Sequence, residues 1–262
     1  MFSLCIATMN RYDDFLSKYL PLYVNNPLID EIIITDETGD DAMKIWSDFT
    51  SPKIKIFIND ERLGPLKNKM KAMRHASNEW IALIDSDNFA DNKYFEVASR
   101  FILTLPKSEN TSIIAPSFSK PGNNDTKSKD HEGFDFTAFQ GRNLSLSYLR
   151  SLPQQYLRTC QDNITVLLNQ GNYIINKHLV DNISLAAEDP DLIDNSSSFD
   201  VIYFNTLLYE QFGSALNFYV IAGLEYQHSV HANSIYLITR DKCKVYSCQL
   251  FERFYKLCGS SG

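Results

Sequence analysis

The run Trp80-Ile81-Ala82-Leu83-Ile84 ends in Asp85-Ser86-Asp87. Ile81 to Ile84 are apolar without alternation, the pattern of a strand buried on both faces. In an extended segment alternate side chains point the same way, so Asp85 and Asp87 reach one small region together. Two carboxylates sharing space repel unless something positive joins them. A divalent cation that itself carries a phosphate is such a partner. A surface turn after a strand uses the same residue types, so the motif alone leaves both readings open.

Other residues able to do chemistry fall at comparable places. Thr8, Asn10 and Arg11 follow the apolar run Leu4 to Ala7, and Asp36 follows Ile32 to Ile34. Lys67, Lys71 and Arg74, spaced four and three apart, form one stripe of a helix. Lys67, near the helix start, is placed to face a phosphate, where the helix dipole also favours negative charge. Lys71 and Arg74 read as solvated. Asp200 lies in the first turn of a helix, where an acid is favoured on dipole grounds alone. His228 and His231 are three apart, a weak pattern for a metal pair. Arg142 meets either an acceptor or a nearby carboxylate.

The elements that must position these groups alternate. Strands are expected over Ser3 to Thr8, Glu31 to Asp36, Lys53 to Ile58 and Ile81 to Ile84. Helices are expected over Asp13 to Tyr23, kinked or shortened by Pro21, then from Asp40 or Asp41 as cap through Phe49, and over Leu66 to Ala76 with Leu66, Met70 and Met73 buried. This βαβαβαβ order predicts an α/β fold with a mostly parallel sheet and helices on both faces. Ligands of such sheets gather beyond the carboxyl ends of the strands, where Thr8, Asn10, Arg11, Asp36, Asp85 and Asp87 all fall. Ser112 to Pro116 reads as a strand, and the polar stretch 117–133 as a flexible loop. A helix is expected from Asp200 to Phe212, closed by Gly213, with Ser196 to Ser198 as caps and Val201, Phe204 and Leu208 as its buried stripe. Leu216 to Ile221 reads as a further strand. Val245 to Leu257 gathers aromatic residues on one side of a helix, which either docks on the core or touches a membrane surface or a partner.

Composition narrows the class. The 262 residues are 44% hydrophobic, enough for one large domain or two small ones with a real core. A formal net charge of −7 argues against a general nucleic-acid surface. No run approaches the ~18 apolar residues of a membrane span. The N-terminus lacks a basic leader and reads as a first strand. Five scattered cysteines suit the reduced, cytoplasmic state, and Cys243 and Cys248 lack zinc-site spacing. Residues 259–262 read as a tail.

In order and rough spacing these features resemble the GT-A fold nucleotide-sugar-dependent glycosyltransferases, nearest to the family 2 group. The resemblance rests on Ala7-Thr8-Met9-Asn10-Arg11, Asp36, Gly64-Pro65-Leu66-Lys67-Asn68, Asp85-Ser86-Asp87, Gly171-Asn172, Asp200 and His228-Ser229. It implies a nucleotide-sugar-binding half over 1–116 and, over 134–258, an acceptor-binding and catalytic half with a C-terminal helix. Thr8 and Asp36 would hold the base and ribose, with Asn10, Arg11 and Lys67 also on the donor side. Asp85 and Ser86 would contact the ribose or sugar. Asp87 would bind Mn²⁺ or Mg²⁺, with His228 completing the metal site or touching phosphate. Asp200 would be the general base, with Asp189 and Glu188 as alternatives because Phe199 stands where the family carries an acid. The implied reaction moves a sugar from a nucleotide-diphosphate donor, foremost a UDP-sugar, to a hydroxyl of a glycan, lipid-linked or protein acceptor, with inversion.

Two other classes compete. A sugar nucleotidyltransferase shares the sheet but needs a glycine-rich turn after strand one, and Ala7 to Arg11 contains no glycine. A non-catalytic module that binds a nucleotide sugar or glycan is the reading left open by Phe199. A dinucleotide-binding fold is excluded by the lack of Gly-x-Gly-x-x-Gly.

Overall fold

The computed structural model describes residues 1–121, 135–153, 168, 171–185, 193, 199–229 and 235–259, with side chains omitted over 235–244. Seven strands form one sheet in the order β3-β2-β1-β4-β6-β5-β7. Strands β1 (Phe2–Thr8), β2 (Ile29–Asp36), β3 (Ile54–Ile58) and β4 (Trp80–Leu83) are mutually parallel, as the alternation predicts. β6 (Ile174–Asn176) runs antiparallel between β4 and β5 (Ser112–Pro121), and β7 (Asn217–His228) pairs parallel with β5.

Unbroken apolar strands supply both faces of this sheet. Cys5, Ile33, Ile81, Leu83 and Ile175 point to one side, while Leu4, Ile6, Ile32, Ile34, Ala82 and Ile174 point to the other. The first side packs under α3 (Gly64–Arg74), α7 (Asp200–Phe212) and α8 (Ile235–Gly259); the second packs under α1 (Ser17–Val24) and α4 (Asn92–Ile102). Each fully buried Ile or Leu contributes about 1.5–3 kcal/mol. The expected buried face of α3, Leu66, Met70 and Met73, is present.

At the amino ends of the strands one acid ties four segments together. Glu31 accepts hydrogen bonds from Ser3 Oγ at 2.5 Å, Lys55 Nζ at 2.6 Å and both the backbone N–H and hydroxyl of Ser77. This network lies at the edge opposite the site.

Several expectations need correction. The first helix opens as a π-helical turn, Tyr12–Leu16, and becomes α-helical at Ser17, then runs through Pro21 to Val24. Widening the turn just before Ser17 places the change where Pro21, lacking an N–H, gives no bond to the Ser17 carbonyl. The second helix, α2 (Asp40–Asp48), is not capped by Asp40 or Asp41. Its N-cap is Gly39 at φ +85°, and the side chain of Asp36 accepts from Thr38 N and Ala42 N. The supposed loop over 117–133 begins as strand, since β5 continues to Pro121 beside β7; residues 122–133 lie outside the described residues. β7 runs to His228, through Gly223 at φ +75°, well beyond Ile221. α7 is no stripe-faced surface helix: Ile202 to Tyr209 are buried all round, because the helix is held between the sheet and α8. Ser196 to Ser198, Glu188, Asp189 and His231 lie outside the described residues.

The aromatic C-terminal helix docks on the core. Leu250, Phe254 and Cys258 are buried; Arg253 forms a bidentate pair with Glu210 of α7, and Arg150 of α5 (Leu146–Ser151) donates to the Leu257 carbonyl. Among the described residues no helix is long and apolar enough to cross a membrane. Cys5, Cys248 and Cys258 are free thiols.

Candidate active site

The carboxyl ends of β1, β2 and β4 meet at one edge of the sheet. β4 stops at Leu83, and Ile84 still donates to the Cys5 carbonyl, so Asp85 leaves the sheet beside β1. Asn172, just before β6, grips this exit. Its Oδ1 accepts from Asp85 N at 2.8 Å, and its Nδ2 donates to Asp85 Oδ2 at 3.1 Å.

The other carboxylate oxygen of Asp85 meets a lysine. Lys69 Nζ lies 2.6 Å from Asp85 Oδ1 and 2.8 Å from Asp200 Oδ2. The ammonium therefore joins the end of the fourth strand to the start of α7, and its side chain is only 14% exposed. Burial opposes the lysine charge, but Asp200 and Asp85 outweigh it and hold Lys69 protonated. Burial also pushes the Asp200 carboxyl above its ordinary value, against the pull of Lys69. A raised carboxylate pKa makes a stronger base, so Asp200 combines a defined partner with proton-accepting strength.

The start of α7 is fixed from two further directions. Phe199, buried, stacks on Tyr246 of α8 with ring centroids 5.4 Å apart. A Cβ on Gly171 would lie 2.7 Å from Val201 Cγ2, so the segment leading into β6 passes directly against the first turn. Phe199 is thus an aromatic anchor between the start of α7 and the C-terminal helix.

The segments that carry Asp87 and His228 are joined to each other. Phe89 N and O both bond to Gln227, and Ser229 N donates to Asn88 Oδ1 at 2.9 Å, which seats the end of β7 on the Asp85–Phe89 loop. Asp87 and His228 are both partly exposed, and Ser86 is buried. Burial first, and then the charges of Asp85 and Asp87, keep the nearby Tyr226 hydroxyl protonated.

The β1 and β2 ends behave differently. Asp36 is fully buried, with both oxygens committed to the backbone of the α2 start. Thr8 donates to Asp41 at 2.5 Å, and Asp41 also accepts from the backbone N–H groups of Arg11 and Tyr12. Asp36 thus holds the start of α2, while Thr8 and Asp41 hold the loop that carries Asn10, at φ +56°, and Arg11. Asn10, Asp13, Asp14, Asp40, Asp41, Met43 and Lys44 line an open hollow of about 540 Å³ here, with Lys44 paired to Asp13. Further basic charge lies toward α3. Lys67 is partly buried near the start of that helix, while Lys71, expected to be solvated, donates to Asn59 Oδ1 at 2.8 Å. Arg74 is exposed, with Nη2 3.5 Å from the Ile183 carbonyl.

Sequence reasoning passes over Lys69, and it names Asn172 and Asp41 without the contacts they make here. Lys69 carries a signal: it sits three residues after Leu66 and four before Met73, on the apolar side of α3, where a lysine demands carboxylates.

Among the described residues no group of three His, Cys, Asp or Glu side chains is gathered to hold a metal ion. Asp85 is already engaged by Lys69 and Asn172. Asp87 and His228 stand on the two segments of one junction and supply a carboxylate and an imidazole. This set fits a cation such as Mg²⁺ or Mn²⁺ that takes one or two protein ligands and fills its shell from phosphate oxygens and water.

A mostly parallel sheet with an acidic pair at the end of its fourth strand, and a third carboxylate brought to that pair by a later helix, is the GT-A architecture. The chain belongs to glycosyl transferase family 2, whose sequence model matches residues 3–183. Asp200 and His228 lie beyond the matched range. Among solved structures the chain is similar to S. aureus TarS. A 1–349 form in complex with UDP-GlcNAc shares 14% identity at a TM-score of 0.58, covering 98% of this chain and 72% of that one. The same form in complex with UDP gives 14% identity and a TM-score of 0.58 over 97% and 70%. TarS itself, at 14% identity and a TM-score of 0.55, is covered over 44% of its length. At this identity the likeness concerns the fold. No match is found among curated protein sequences.

Proposed function

We propose that this protein transfers a sugar from a nucleotide-diphosphate donor, a UDP-sugar, to a hydroxyl acceptor on a glycan, lipid-linked or protein substrate, with inversion. The observation that carries the reading is the meeting of Asp200 with Asp85 across Lys69, beside Asp87 and His228. The UDP and UDP-GlcNAc bound to TarS support the choice of donor.

Residues 1–116 hold the donor and residues 134–258 the acceptor. Asn10 and Arg11, on the loop ordered by Asp41 and Thr8, face the nucleotide. Asp85, with Ser86 buried behind it, orients the ribose or sugar. Asp87 and His228 would hold Mn²⁺ or Mg²⁺, which supplies positive charge to the departing diphosphate. Lys67 adds charge on the same side. Asp200 accepts the proton of the acceptor hydroxyl as its oxygen attacks the anomeric carbon. One displacement inverts that centre.

The test is a thermal-shift screen of UDP-, GDP-, CMP- and dTDP-sugars with and without Mn²⁺, followed by nucleoside-diphosphate release on an acceptor panel. A UDP-sugar raises the melting temperature by mass action. Asp200→Asn keeps that shift while turnover falls about 10²–10⁴-fold. Unimpaired turnover by Asp200→Asn removes the residue from the role of base.

A further inference from the structure

We infer that Lys69 is a positioning residue for sugar transfer, an ammonium clamp that sets Asp200 against Asp85. The inference rests on the transfer reading proposed above and assigns to that site a residue outside the motifs that suggest it.

Lys69 Nζ is within 3 Å of both Asp85 Oδ1 and Asp200 Oδ2. Without it the two carboxylates face each other in a protein-lined space, and like charges that close cannot both stay ionised and in place. The rest of the cluster offers no replacement: Asp85 Oδ2 already accepts from Asn172 and lies 3.4 Å from Asn88 Nδ2. Burial of the ammonium fixes the geometry, since a side chain on the core side of α3 reaches the site along one path. The clamp binds one oxygen of Asp200 and draws it to the donor-side acid. It thereby sets where the proton acceptor sits relative to the sugar. A flexible surface lysine could not do this, because ordering it costs rotamer entropy that solvent-screened attraction does not return.

Asp85 stays held by Asn172 through its backbone N–H and Oδ2, so loss of the clamp displaces Asp200 and acts on the chemical step rather than on donor binding. Lys69→Met should lower kcat about 10²-fold while KM for the donor, and the thermal shift with UDP and Mn²⁺, change by less than about threefold. Asp200→Asn removes one of the opposed charges, so Lys69→Met/Asp200→Asn is a folded control. If Lys69 works through Asp200, the double variant turns over no more slowly than Asp200→Asn alone. Independent, multiplying losses, or kcat and KM falling together with the melting temperature, overturn the clamp and leave a structural ion pair. A wild-type protein that transfers no sugar from any donor refutes the transfer reading itself. One that transfers sugar, with Lys69→Met keeping its kcat, refutes the clamp alone.

Discussion

Gly171→Ala tests whether Asp200, the proposed base, is held in place by the segment that leads into β6. The Gly171 backbone is not in the left-handed region, so alanine is conformationally permitted there and, by restricting the unfolded chain, gains ~0.4–1 kcal/mol. Only space opposes it. The new Cβ would stand 2.7 Å from Val201 Cγ2 and 3.1 Å from Val201 Cγ1, against ordinary contact from 3.4 Å. Valine in a helix is stiff about χ1, so it cannot swing both methyls away, and the first turn of α7 must move by a large fraction of an ångström. Overpacking of this kind costs about 1–3 kcal/mol. Asp200 precedes Val201, and a misplacement of this order at a reacting group costs up to ~10²-fold in rate. Urea unfolding should show the stability loss, and nucleoside-diphosphate release should show a kcat loss with an unchanged thermal shift by donor. Gly171→Ala/Val201→Ala reopens the space and should recover most of both. A Gly171→Ala protein with wild-type stability and kcat would show that this contact does not place α7.

Asp87→Ala should erase the dependence of UDP binding on Mn²⁺ in a thermal-shift titration, while the metal-free shift stays as in wild type; retained Mn²⁺ dependence would remove Asp87 from the metal site. Glu31→Gln concerns the far edge. Burial pushes this carboxyl up, but Lys55, Ser3 and Ser77 outweigh it and hold it down at about 2. A depressed folded pKa gives stability that is fully present above the ordinary glutamate value of 4.5 and is lost as pH falls from there through about 2. That gap is worth about 3 kcal/mol at pH 7. Glu31→Gln should therefore lose stability by urea unfolding at pH 7 and converge on wild type near pH 2, and a constant difference across pH would sink the assignment.

The parallel half of the fold was legible because each of its strands is an apolar run ending in a polar group, and each helix carries a periodic face. The antiparallel insertion of β6 was not, since Ile174 to Asn176 is three residues long and means a strand only through its partners. Asp36, Asp85 and Asp87 could be placed by topology alone. What their side chains touch could not: Asp36 spends both oxygens on its own helix start, a choice set by Gly39 turning the backbone back toward it. Reading only the exposed stripe of α3 hid Lys69, whose position among Leu66, Met70 and Met73 was the better clue. α7 misled because a helix buried on every side has no stripe to read.

Phe199 illustrates how the fold accommodates a departure from the family pattern. An acid before Asp200 would add a third carboxylate beside Asp85 and Asp200, with Lys69 as the ammonium between them. The aromatic ring instead exchanges that charge for a stack on Tyr246, which transfers the anchoring of α7 to the C-terminal helix. Asp200 is then constrained from three independent directions: by Lys69 from the donor half, by Gly171 against Val201 from the segment leading into β6, and by Phe199 from α8. Such redundancy is what a reacting carboxylate needs, because its placement must survive the arrival of a doubly charged donor. The sheet itself carries the same seam: β4 pairs antiparallel with β6, and Lys69 joins the end of β4 to the start of α7, so on the proposed reading the reacting groups are set by one continuous sheet rather than by a mobile domain interface.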